Sequence, residues 1–212
     1  PPQTENLHHE IELVAAIGTG GGGISLADAL NHVWGYGVGI DLTRRDIQNK
    51  AKEMGRPWDM GKGFDQSAPC TALHPVSEVG HPDTEDARSI WIKVNGKIRQ
   101  ESTLDLHIWS TAETISYLSG LVTLQAGDLI YMGTPDGVAA VISGDKMEGH
   151  IDGVDDLVVV HLRVGAGADR GGLGGVELGE LERQLLGQVV VDEEAERRTV
   201  AQRRTEVGDG AS

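Results

Sequence analysis

The sequence is short of cysteine, of long apolar runs and of positive charge. Its lone cysteine, Cys70, rules out an internal disulfide and suits a reducing, cytoplasmic setting. No apolar run approaches the roughly 20 residues needed to cross a bilayer, which excludes a membrane-spanning helix. Against 33 Asp and Glu there are 18 Lys and Arg, a formal net charge of −15. Nucleic acid and anionic membranes both need a basic face, so neither is expected as a partner. A small anionic substrate stays compatible, through a local cluster of cations. Thr19-Gly20-Gly21-Gly22-Gly23 is glycine-rich, yet neither a Walker-type lysine nor a G-x-G-x-x-G helix start follows, so it reads as a flexible hairpin connection. The chain opens Pro1-Pro2 with no initiator Met or signal-type segment, and the expectation is a start partway into a longer sequence.

What is present is a globular composition, 39% hydrophobic and 24% charged over 212 residues, enough for one domain with a real core. Short strands with two or three helices inserted predict an α+β class, predominantly β. Ser25 to Leu30 reads as a short helix capped by Ser25, and residues 33–43 as a β-branched and aromatic strand whose glycines permit close approach. Residues 43–55 predict a helix with Thr43 as N-cap, and residues 56–70 a loop carrying Lys62 between glycines. Residues 89–100 are a hairpin turning through Asn95-Gly96. Residues 109–121 are an amphipathic helix, with Ile108, Ala112, Ile115 and Leu118 spaced for one buried face. A strand and a Gly-Thr-Pro loop cover 124–138, and residues 157–164 close the β part. Residues 165–212 lack aromatics, proline and lysine, mix glycine with Glu and Arg, and predict an appendage without visible chemistry.

The stretch from Leu7 to Gly18 is apolar except for charges where hydrophobic residues would be cheaper to bury. In a strand, Glu10 and Glu12 face the same way, roughly 7 Å apart. An exposed face with two solvated glutamates is one reading; a bound cation is the other. Asp41, at the end of the next strand, supplies a third carboxylate, and an all-oxygen set selects a hard cation: Mg²⁺, with Mn²⁺ or Ca²⁺ as substitutes. His8 and His9 adjoin the pair but point to opposite faces and cannot both serve as zinc ligands. The six other histidines show no metalloprotease-like spacing. Arg45 and Gln48, three apart, share a helix face next to Asp41. The flanking glycines let the Lys62 ammonium reach a ligand, and the Thr134 hydroxyl with its neighbouring amides can receive a carboxylate.

Four segments resemble the fumarylacetoacetate hydrolase family, nearest its fumarylpyruvate hydrolase and acylpyruvase branch: Leu7 to Leu13, Gly39 to Gln48, Gly55 to Cys70, and Gly127 to Val138. The likeness runs from about Pro1 to Val164, giving a catalytic domain over 1–164. It implies a roll of mixed β-sheets with a few short helices, usually a homodimer. It also implies Mg²⁺ on Glu10, Glu12 and Asp41, substrate contacts from Arg45, Gln48 and Thr134, and Lys62 beside the reacting carbonyl as catalytic and substrate-binding residue. The implied activity is hydrolysis of the C–C bond of 3-acylpyruvates, with fumarylpyruvate giving fumarate and pyruvate in gentisate-type aromatic catabolism. Decarboxylation of oxaloacetate, isomerisation of a dienoate, and metal and oxyacid binding without turnover are the alternatives. The family's water-activating His and Glu pair belongs to a segment that precedes the opening strand, and it has no matching position here.

Overall fold

The structure, a computed structural model, describes residues 3–84 and 87–161. The apolar run becomes a strand without a single exposed residue, which requires cover on both of its faces. The strands in chain order are β1 (Leu7–His8), β2 (Ile11–Ile17), β3 (Val33–Ile40), β4 (Thr43–Arg44), β5 (His74–Pro75), β6 (Ser89–Val94), β7 (Lys97–Thr103), β8 (Leu129–Tyr131), β9 (Ala140–Val141), β10 (Lys146–Ile151) and β11 (Asp155–Val160). The helices are α1 (Arg45–Glu53), α2 (Asp59–Lys62), α3 (Val76–Val79) and α4 (Thr111–Leu121), with two short 3₁₀ turns. Strands predominate, as expected.

Among the described residues three sheets form, in the orders β4-β1-β9, β5-β3-β2-β8 and β11-β10-β6-β7. The pairs described are all antiparallel. The two larger sheets share one core: Ile11, Leu13, Val38 and Ile40 from the first and Ile90, Ile92, Met147 and Ile151 from the second are almost fully buried. Each such side chain contributes about 1.5–3 kcal/mol by leaving water. Gly149 of β10 makes the contact possible, since a Cβ there would stand 2.5 Å from Ile11 Cδ1.

The β6–β7 hairpin turns through Asn95 and Gly96, both at positive φ (51° and 74°), as the Asn-Gly pair predicted. Helix α4 begins at a capping box in which Ser110 and Glu113 satisfy each other's backbone. Ile108 departs from expectation: it precedes the helix and is 95% exposed, leaving Ile115 as the buried anchor. Helix α1 starts at Arg45, without a side-chain cap, because Thr43 and Arg44 pair with β1 instead. Its Asp46 holds the N-terminal segment, accepting from the Thr4 hydroxyl (2.6 Å) and the Glu5 amide (3.2 Å). Ser25 caps no helix either; it bonds Asp28 in the turn before the 3₁₀ segment Ala29–His32. The last strand begins at Asp155, two residues early. Residues 162–164 of the expected strand, and the appendage expected at 165–212, lie outside the described residues. Among the described residues no helix is long and apolar enough to cross a membrane.

Candidate metal and oxyacid site

Glu10 stands immediately before β2, Glu12 is its second residue, and Asp41 immediately follows β3. Antiparallel register brings them together: Ile11 pairs with Ile40 and Glu12 with Gly39, so the end of β3 returns beside the start of β2. The Asp41 amide seals the junction by donating to the Glu10 carbonyl at 2.8 Å. One oxygen from each carboxylate then lies within 4.8 Å of the others. Gly39, opposite Glu12, has no room for a side chain. A Cβ would lie 2.5 Å from Tyr131 Cε1 and 2.6 Å from Val14 Cγ2.

Two cations face the carboxylates. Lys62 Nζ bridges Glu10 Oε2 (2.7 Å) and Asp41 Oδ2 (2.5 Å), and Arg45 Nη2 makes a short ion pair with Glu10 Oε1. Burial pushes the Glu10 carboxyl up, but Lys62 and Arg45 together hold it below the usual glutamate value. Burial raises Asp41, with Lys62 opposing. Burial disfavours the Lys62 ammonium, but Asp41 and Glu10 outweigh it and raise its pKa, so Lys62 is a charged donor at neutral pH. Glu12 is the carboxylate left without a cation. Burial, then Asp41 and Glu10, push its pKa up to about 8, against the Gly133 amide that donates to its Oε2 at 2.7 Å.

This arrangement fits a hard divalent ion. The donor set is all oxygen and anionic, the Lys62 ammonium already bridges two of its members as a stand-in cation, and Glu12 needs more positive charge to ionise. No histidine joins the cluster. His8 Nδ1 accepts from Arg45 Nε at 3.3 Å, with its Nε2 against Asn6 Oδ1 at 3.0 Å. His9 is fully buried, with Nδ1 against Gln100 Oε1 at 2.8 Å. The adjacent histidines thus take different partners, as the strand alternation required.

Lys62 closes the one-turn helix α2 instead of lying in a loop. Gly61 explains why: it rests on α1, where a Cβ would meet Gln48 Cβ at 3.1 Å, and this sets Lys62 beside the carboxylates. The shared face of Arg45 and Gln48 is realised as a 2.5 Å hydrogen bond from Arg45 Nη1 to Gln48 Oε1. Thr134 is reached through its neighbour, since the Gly133 amide is committed to Glu12 and not open to a substrate. Thr134 also lines a cavity of about 420 Å³ with Met132, His107, Ile108 and Trp109. One residue escaped sequence reasoning. Gln100, 1% exposed, links Thr134 to the glutamate strand, and nothing in its sequence context marks it beyond its place in a hairpin strand.

Residues 1–165 match the family model described as fumarylacetoacetate (FAA) hydrolase, C-terminal. The chain is 43% identical over 157 residues to a fumarylpyruvate hydrolase of Ralstonia sp, covering 74% of this chain and 80% of that protein. It is 42% identical over 154 residues to a mitochondrial oxaloacetate tautomerase of Rattus norvegicus, covering 73% and 68%. The crystal structure of fumarylpyruvate hydrolase from Pseudomonas aeruginosa in complex with Mn²⁺ and pyruvate matches with a TM-score of 0.74 at 54% identity, covering 76% of this chain and 68% of that one. A family match across most of the chain, relatives above 40% identity and a carboxylate cluster built from the resembling segments agree: this chain belongs to the fumarylacetoacetate hydrolase family of enzymes.

Proposed function

We propose that this chain is a divalent-cation-dependent hydrolase of 3-acylpyruvates, converting fumarylpyruvate and water to fumarate and pyruvate in gentisate-type aromatic catabolism, as a cytoplasmic homodimer. The observation that carries it is the convergence of Glu10, Glu12 and Asp41 with Lys62 bridging two of them. The similarity to fumarylpyruvate hydrolases, one of them in complex with Mn²⁺ and pyruvate, supports the substrate. Leu106 and Ile108, exposed at 70% and 95% beside the cavity that Trp109 also lines, support a second copy as the cover of that face.

In this reading Glu10, Glu12 and Asp41 hold Mg²⁺ or Mn²⁺, which when bound supplies positive charge against a developing enolate oxygen. Thr134 donates its hydroxyl to the substrate carboxylate, and Arg45 with Gln48 faces the distal acyl arm. Water adds its oxygen to the acyl carbonyl carbon remote from the carboxylate. The C–C bond then breaks, its electron pair leaves as the pyruvate enolate, one of the water's protons ends on the enolate carbon to complete pyruvate, and the other leaves as the new fumarate carboxyl ionises. Lys62, an ammonium, donates to the oxyanion that forms on the way.

The test is pyruvate release from fumarylpyruvate with Mg²⁺, compared with EDTA and with Glu12→Ala; equal turnover in all three overturns the proposal. A second reading, proton transfer on oxaloacetate, is favoured by the similarity to the tautomerase and by the site's one ammonium donor, Lys62. Enolate chemistry needs a proton donor but no activated water. Comparing oxaloacetate enol–keto conversion and CO₂ release with acylpyruvate cleavage separates the two.

A further inference from the structure

Gln100 sits wholly inside the protein between the glutamate strand and the Thr134 loop, and each of its hydrogen-bonding groups is engaged. Its Oε1 takes the Ile11 amide at 3.2 Å and His9 Nδ1 at 2.8 Å; its Nε2 meets Thr134 Oγ1 at 2.8 Å and the Pro135 carbonyl at 2.7 Å. Two of these partners allow no choice of role. A backbone amide only donates and a carbonyl only accepts, so the oxygen must face Ile11 and the NH₂ must face Pro135. The other two roles follow. His9 donates from Nδ1, and Thr134 Oγ1 accepts from Gln100.

A hydroxyl carries one hydrogen. With Gln100 feeding a lone pair of Thr134, the hydrogen of that hydroxyl is left to be donated elsewhere. We infer that Gln100 is the positioning residue that fixes Thr134 as a hydrogen-bond donor to a carboxylate and locks its loop to the strand bearing Glu10 and Glu12. The inference rests on the reading of Thr134 as the carboxylate-binding group. It assigns selectivity to a residue that touches neither substrate nor ion. A hydroxyl that has already accepted a hydrogen bond is a stronger donor, and its remaining hydrogen suits an anionic oxygen best.

The probe is oxalate, binding to the Mg²⁺-loaded full chain, measured by calorimetry alongside Mn²⁺ binding without oxalate. Gln100→Met should weaken oxalate about tenfold or more while leaving Mn²⁺ affinity within about threefold, the loss expected for one charged hydrogen bond. In a Thr134→Val background the same change should cost oxalate affinity less than about threefold, although it lowers thermal stability in both. A merely structural role predicts the same oxalate loss in both backgrounds, or parallel loss of Mn²⁺ binding, and either result overturns the inference. Wild-type protein supplies a readout independent of the folding of any Gln100 variant. The Gln100 side-chain amide resonances should shift when oxalate joins the Mg²⁺-loaded protein, and stay fixed in Thr134→Val. Unmoved resonances in a wild type that binds oxalate overturn the role of Gln100 alone; a wild type that binds no oxalate overturns the carboxylate role of Thr134, and this inference with it.

Discussion

Cation binding should release a proton from Glu12, and the structure sets how much and where. Glu12 is buried, with a pKa pushed up to about 8, so near neutrality it is mostly protonated before an ion arrives. An oxygen-ligated divalent ion needs the carboxylate, so binding competes with the proton. Apparent affinity is therefore lost as pH falls below about 8. From pH 8.5 to 6.5 the one-proton competition weakens binding about 25-fold, or about 1.9 kcal/mol. At pH 7 about 0.9 proton should leave per ion, falling to about 0.2 at pH 8.5. The assay is Mg²⁺ calorimetry in two buffers of different ionisation enthalpy, such as PIPES and Tris, whose slope gives the proton count. Glu12→Gln keeps the size of the side chain and an acceptor for the Gly133 amide but removes the titration, so it should flatten the dependence. Fewer than about 0.2 proton released at pH 7, or an unchanged pH slope in Glu12→Gln, would refute the reasoning.

Lys62→Met should retain or tighten Mn²⁺ binding while lowering turnover at least about 100-fold, because the ammonium both competes for Glu10 and Asp41 and supplies oxyanion charge; calorimetry with a pyruvate-release assay checks the split. Gly39→Ala should destabilise by about 1–3 kcal/mol in urea unfolding, since its Cβ would overlap Tyr131 and Val14. Ile108→Asp should shift the sedimentation of the proposed homodimer toward monomer, since among the described residues Ile108 is 95% exposed beside the cavity assigned to that interface. His150 titrates the other way from Glu12. Burial works against its charge, but Asp152 (2.8 Å) and Asp156 (2.6 Å) hold its pKa above 6.5. Its stabilising contribution is complete below pH 6.5 and lost as pH rises through the raised value, a slope that an NMR titration of the ring and unfolding of His150→Gln should both follow.

Sequence alone determined what is local or periodic. The Asn95-Gly96 turn, the core of α4, the same-face Glu10 and Glu12 and the Arg45–Gln48 face all follow from backbone periods and turn chemistry, and the structure keeps them. Fixed motifs in order were enough to identify the family. Sequence misplaced the caps at Thr43 and Ser25 and the exposure of Ile108, because strand pairing and the surroundings of a side chain are settled by distant residues. Only the tertiary structure decided which groups are left without a partner. The β2–β3 register brought Asp41 to the glutamates, and packing of Gly61 on α1 aimed Lys62 at Glu10 and Asp41, leaving Glu12 without a cation. It also set Gln100, 89 residues from Ile11 in the chain, against the backbone between Glu10 and Glu12. Charge compensation and hydrogen-bond polarity depend on distances across the fold, whereas a sequence pattern specifies only the direction in which each side chain leaves its own element.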